Sequence, residues 1–149
     1  MLGMLIDVKP RIASEEVREL LEYAVHGDEE ELSQAVKQYA ADSNCKLLAY
    51  EEEEQYIGII GYRSGDNGVL ELLHLAVHPE DRGMGYGRGI ILDAMVLERP
   101  AVVLAETDED SADFFRSIGF QVTGFTKYPG GPEYFRCTYE TEENEEDFM

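Results

Sequence analysis

Arg82-Gly83-Met84-Gly85-Tyr86-Gly87-Arg88-Gly89 is the stretch on which the fold turns. An apolar strand pattern, 69–77, precedes it, and a helical pattern with Ile90, Ile91, Ala94, Met95 and Leu97 inward follows it. The spacing departs from a dinucleotide fingerprint, because position 88 is Arg and position 90 is Ile. It departs from a P-loop too, since no Gly-Lys-Ser/Thr follows. What remains is a glycine turn that aims backbone N–H groups at the start of a helix, flanked by Arg82 and Arg88. Such a terminus favours a phosphate or pyrophosphate, and glycine keeps Cβ atoms out of its way.

Outward from that loop, the pattern predicts one α/β domain with a mixed sheet of six or seven strands and about four helices. Upstream, Ser14 with Glu15 and Glu16 marks a helix start, and Val17, Leu20, Leu21 and Ala24 recur at helical spacing. A second helix is expected from Asp28, with Leu32, Ala35, Val36 and Tyr39 on one face. Strands follow at 46–50, 56–63 and 69–77, separated by an acidic turn at 51–55 and by Gly65-Asp66-Asn67-Gly68. Downstream, Pro100 ends the helix after the loop, and Ala101–Ala105 reads as a strand buried on both faces. Asp108 or Asp110 is expected to cap a short helix ended by Gly119, before strands at 120–127 and 134–139.

Composition narrows the function classes. The chain has 149 residues, 44% hydrophobic and 30% charged, the profile of a globular domain. With 12 basic and 32 acidic residues the formal charge is −20, which repels phosphate backbones and argues against nucleic acid as a partner. A cationic partner is one reading of the acid excess, and a solvated acidic surface is the other. Six of the acids lie in Glu140–Met149, so the expected division is a domain over 1–139 and an acidic tail over 140–149. No apolar run is long enough to span a membrane. An amino terminus without a basic residue, and with Asp7 after its apolar stretch, reads against a signal peptide. Cys45 and Cys137 lack zinc-ligand spacing, so no metal is expected, and two free thiols suit a reducing cytoplasm.

Three stretches in order resemble the GNAT superfamily of N-acetyltransferases. Arg82-Gly83-Met84-Gly85-Tyr86-Gly87 fits its Arg/Gln-x-x-Gly-x-Gly/Ala pattern. Leu75-Ala76-Val77-His78-Pro79 looks like the strand before that loop, and Phe114-Phe115-Arg116-Ser117-Ile118-Gly119-Phe120 like the family's helix-to-strand joint. The resemblance implies acetyl-CoA as cosubstrate, held where two neighbouring parallel strands splay apart. By position, the amides of Arg82, Gly83, Met84, Gly85, Tyr86 and Gly87, with Arg88 beside them, would hold the pyrophosphate. Leu75, Ala76 and Val77 would pair with the pantetheine arm, and Asp108, Ser111, Phe114 and Phe115 would line the far wall. Glu71 stands where several members carry a general-base glutamate.

Chemistry adds further expectations. A neutral primary amine, on a small molecule or a peptide, would attack the thioester in a ternary complex, so a base must take its proton. His74 is the second candidate base, and strand alternation puts it on the face opposite Glu71. Tyr is common in the family at position 115 as an acid for the thiolate, and Asn at 108, where this chain has Phe115 and Asp108. A thiol of pKa about 8–9 leaves without a dedicated acid. The amine pocket is expected between the first helices, the 128–132 loop and the fourth strand; the amine itself is not legible, and either a monomer or a homodimer is compatible. The alternative reading is a catalytically degenerate acyl-CoA-binding or regulatory module, followed by an unrelated anion-binding domain.

Overall fold

Burial of two apolar faces of one twisted sheet organises the chain. A computed structural model describes residues 3–141. In order the elements are β1 (Met4–Asp7), α1 (Glu15–Ala24), α2 (Glu29–Ala41), β2 (Cys45–Glu52), β3 (Gln55–Ser64), β4 (Val69–Val77), α3 (Tyr86–Glu98), β5 (Val102–Thr107), α4 (Glu109–Ser117), β6 (Gln121–Thr126) and β7 (Glu133–Glu140). The seven strands lie in the order β1-β2-β3-β4-β5-β7-β6. Every neighbouring pair is antiparallel except β4–β5, which α3 joins as a parallel crossover.

One side of the sheet buries Val17, Leu20, Leu21, Leu32, Ala35 and Tyr39 of α1 and α2 against Leu47, Ala49, Ile59 and Ala76. The other buries Ile90, Ile91 and Ala94 of α3 and Phe115 of α4 against Ile60, Tyr62, Leu70, Leu72, Val103 and Ala105. Each fully buried aliphatic or aromatic side chain here contributes about 1.5–3 kcal/mol. The layer of α1 and α2 packs on β2, β3 and β4. Consequently β5 is not buried on both faces as expected: Val103 and Ala105 are buried, while Val102 and Leu104 are only half covered. The expected domain boundary falls within β7, which runs on through Glu140, and the acidic stretch beyond Thr141 lies outside the described residues.

Two local features depart from simple patterning. The β2–β3 hairpin closes through Glu53 and Glu54, both at positive φ (52° and 67°), the conformation of a two-residue hairpin turn that usually takes Asn-Gly. The second is Gly61 on β3. A Cβ there would fall inside the Tyr39 hydroxyl, so α2 approaches the sheet as closely as it does because position 61 has no side chain. Gly61→Ala is therefore expected to displace Tyr39 and destabilise the protein by about 1–3 kcal/mol, read as a lower urea midpoint at unchanged m-value.

Candidate active site

The parallel pair opens a cleft. Between β4 and β5 the register runs from Val69↔Val102 to Leu72↔Ala105 and stops there. Past that point β5 continues against β7, with Glu106 opposite Arg136 and Thr107 opposite Phe135. On its other side β4 keeps its pairing with β3, but with a shift: Tyr62 faces Leu72 and Gly61 faces His74. Leu73 is thus an extra residue, a β-bulge that bends β4 away from β5. The β5-facing edge of Leu73–Val77 is left without a strand neighbour, and a cleft of about 740 Å³ opens beside it. It lies at the carboxyl ends of the parallel strands, where open α/β sheets bind ligands.

The glycine loop closes one end. Gly83 and Gly85 have φ of +81° and +85°, and no atom within 4 Å would meet a Cβ at either. Backbone conformation, rather than crowding by the protein, selects glycine there. Ser14, Asp28 and Asp108 cap α1, α2 and α4 with side-chain oxygens. The cap of α3 is Gly85, which offers no side-chain acceptor, so its first N–H groups face outward uncapped. Arg82 braces this loop: its Nε donates to the Val77 carbonyl at 2.9 Å, and its guanidinium lies 5.6 Å from the centre of the Tyr23 ring. An uncapped helix start, two arginines and open space beside the glycines suit a pyrophosphate.

Most of the expected positions border this one cleft. Leu75, Ala76 and Val77 form its β4 wall with His74, Arg82, Gly83, Gly85, Tyr86, Gly87 and Arg88 its loop end, and Ser111, Phe114 and Phe115 its far side. Glu71, Met84 and Asp108 are not among the lining residues. The Met84 side chain is exposed. Asp108 is occupied as the α4 cap, its Oδ1 accepting the Ser111 N–H at 3.0 Å. The 128–132 loop does not reach the cleft; Tyr23, Ala24 and His26 at the end of α1, with Glu106 and Thr107 of β5, line it instead. The acidic α1–α2 segment carries no signal that marks them.

The bulge also corrects the expected facing of Glu71 and His74. With Leu73 inserted, both residues stand on the α1–α2 side of the sheet. Glu71 Oε1 accepts from Arg63 at 2.8 Å, and Arg63 reaches Asp42 at 3.4 Å. His74 Nδ1 lies 2.7 Å from the hydroxyl of Tyr39, a fully buried residue. Burial lowers the His74 pKa from its ordinary value near 6.5, so the ring is neutral at neutral pH. The buried hydroxyl hydrogen needs an acceptor, since leaving it without one costs about 1–3 kcal/mol. A Tyr39 hydroxyl that donates to Nδ1 meets this need and would leave the ring proton on Nε2.

An unfolded chain protonates this imidazole near pH ~6.5, whereas the folded one stays neutral to lower pH. The unfolded state binds more protons in that window, so stability falls as pH drops below about 6.5. Urea midpoints at about pH 7.5 and about pH 5.5 are expected to differ more for the parent than for His74→Gln.

Three comparisons agree with this geometry. Residues 43–122 match the family model described as an acetyltransferase (GNAT) domain. An uncharacterized N-acetyltransferase from the lysA 3′ region of Bacillus methanolicus is 33% identical over 64 residues, 43% of this chain and 53% of that protein. The match thus spans about half the length of that curated relative. In fold, the chain is similar to an acetyltransferase from Thermus thermophilus, with a TM-score of 0.71 and 17% identity over 95% of this chain and 98% of that one. It is similar also to an aminoglycoside 6′-N-acetyltransferase complexed with coenzyme A, with a TM-score of 0.72 and 12% identity over 94% and 97% of the two chains. The model match, the loop at 82–87 and the splayed strands together establish the family: the chain belongs to the GNAT acetyltransferases.

Proposed function

We propose that this acetyltransferase moves an acetyl group from acetyl-CoA to a primary amine by direct attack in a ternary complex. The observation that carries the reading is the uncapped start of α3 opening onto the cleft between β4 and β5. The amides of residues 82–87, with Arg82 and Arg88, would hold the pyrophosphate, and the free edge of Leu75–Val77 would accept and donate to the pantetheine amides as a strand neighbour would. Ser111, Phe114 and Phe115 would bound the arm on its other side. When bound, the thioester supplies the activated acetyl group; the protein's part is to position it, exclude water and handle protons.

Glu71 would take the amine proton. Arg63 engages Oε1 of Glu71, which leaves Oε2 to accept the ammonium proton through solvent. Phe115 offers no hydroxyl to the departing sulfur, which suits a leaving group of pKa about 8–9 that needs no acid. The acceptor is an amine that is cationic in water, in keeping with the formal charge of −20 and with Asp81, Glu106 and Asp110 in the cleft. A small molecule is the favoured class, in line with the structural neighbour described as an aminoglycoside acetyltransferase. The chain through β7, which ends at Glu140, would form the transferase unit, and the acidic stretch after it a solubilising tail. The two buried free cysteines, Cys45 and Cys137, suit a cytoplasmic setting. The absence of a tyrosine at 115 favours a second reading, an acyl-CoA-binding module without turnover.

Release of free CoA thiol on adding an amine from a panel separates the two readings. Gly85→Val, forced to adopt a φ that β-branched residues avoid at about 1–3 kcal/mol, is expected to weaken CoA binding at least ~10-fold in calorimetric titration. Unchanged affinity in a folded variant would remove the loop from the site. Glu71→Gln is expected to lower kcat/KM by ~10²-fold, most strongly at low pH, where free amine is scarce. A parental pH–rate profile in that variant would exclude Glu71 as the proton acceptor.

A further inference from the structure

We infer that Tyr39 is a positioning residue that fixes His74 as a neutral hydrogen-bond donor into the cleft, so that His74 stabilises the negative charge of acyl transfer rather than acting as its base. The inference rests on the acetyltransferase reading and assigns a role within the same site.

Three features on three elements make the pair. The bulge at Leu73 turns His74 toward α2, Gly61 leaves room for the Tyr39 hydroxyl, and that hydroxyl meets Nδ1 at 2.7 Å. The two rings also lean on each other, with centroids 5.5 Å apart and planes at 57°. Tyr39 is fully buried, so the bond is shielded from competing water on the α2 side. His74 itself borders the cleft. With Nδ1 committed to the buried side, the nitrogen left for the cleft is Nε2, and it carries a hydrogen.

Burial keeps the ring neutral against the carboxylates that face it, which by themselves would favour the charged form. On the α2 side stand Tyr39 and Asp42, with Cys45 at the start of β2. Arg63 of β3 lies between Asp42 and Glu71, so its charge is offset on both sides. Across the cleft are Glu106 of β5 and Asp110 of α4, and His26 follows α1. Glu106 in turn pairs with Arg136 at 3.4 Å. A neutral imidazole N–H is a suitable donor to a developing oxyanion, because it stabilises the charge without surrendering its proton. When the amine nitrogen bonds to the carbonyl carbon, the C=O electron pair moves to oxygen. When that carbonyl re-forms, the C–S bond breaks and the pair goes to sulfur. Nε2–H can bond to negative charge at either stage, and the amine proton leaves separately through Glu71 and solvent. Phe115 on the opposite wall offers no competing donor.

The test pairs a ring measurement with kinetics. In the parent protein, ¹⁵N–¹H correlation spectra of the histidine rings are expected to show His74 neutral and protonated at Nε2 at neutral pH. Tyr39→Phe should lose that single tautomer and lower kcat about 10-fold while leaving the KM for acetyl-CoA unchanged. His74→Gln keeps an N–H donor near the Nε2 position and cannot act as a base. It should retain kcat within about 10-fold of the parent, whereas His74→Ala should lose about 100-fold, the usual cost of one oxyanion donor. An Nδ1-protonated ring in the parent would overturn the inference. So would His74→Gln as slow as His74→Ala, or Tyr39→Phe with parental tautomer and kcat. Because the tautomer is read without turnover, a parent that released no thiol with any amine would remove the transferase reading by itself. An Nε2-protonated ring that Tyr39→Phe abolished would still uphold the positioning by Tyr39.

Discussion

A single inserted residue, Leu73, governs the arrangement around it. A strand that stayed in register with both neighbours would have its edge hydrogen bonds filled by β3 and β5, and the sheet would close without a cleft. The bulge breaks that symmetry. It preserves the β3 pairing with a one-residue shift, withdraws β4 from β5 beyond Leu72, and reverses the facing of the residues that follow. The cleft, the unpaired edge of Leu73–Val77 and the shared facing of Glu71 and His74 all descend from that one displacement. On its far edge β5 keeps its pairing with β7 past that point, through Thr107↔Phe135.

The helix starts show a second economy. Three of them are closed by oxygen side chains, Ser14, Asp28 and Asp108, and the acids of their first turns complement the positive end of each dipole. The fourth, α3, has neither a capping side chain nor an acid in its first turn. In a protein this rich in carboxylates, keeping them away from one helix start preserves a local positive potential against the overall field. Arg82 adds to it while remaining tied to the Val77 carbonyl and the Tyr23 ring, so the end of β4, the loop and the end of α1 are linked through one side chain.

Much of this was legible in the residues, for identifiable reasons. The glycine loop, the helix starts at Ser14, at Asp28 and at Asp108 or Asp110, and the turn at Gly65–Gly68 are local signals, readable over four or five positions. The parallel β4–β5 crossover followed from strand, loop, helix and strand in sequence. The bulge was hidden because Leu72-Leu73-His74-Leu75 is apolar almost throughout, and alternation that is absent cannot reveal a slipped register. Tyr39 presented only a helical core pattern, and its bond to His74 joins positions 35 apart. The cleft contributions of Tyr23 and His26 depend on where α1 ends in space, which no local pattern encodes.

The missing cap on α3 ties the protein's thermodynamics to its solvent. Three or four outward N–H groups gain little from one another but much from any small anion that settles among them. Whatever binds the native state in this way and ignores the unfolded chain raises stability by mass action, by about 2.7 kcal/mol at a hundred times its dissociation constant. With phosphate or sulfate seated there, a melting temperature would belong to an ion-loaded species, and one taken in chloride to a different one. For this fold, the buffer is part of the state being measured.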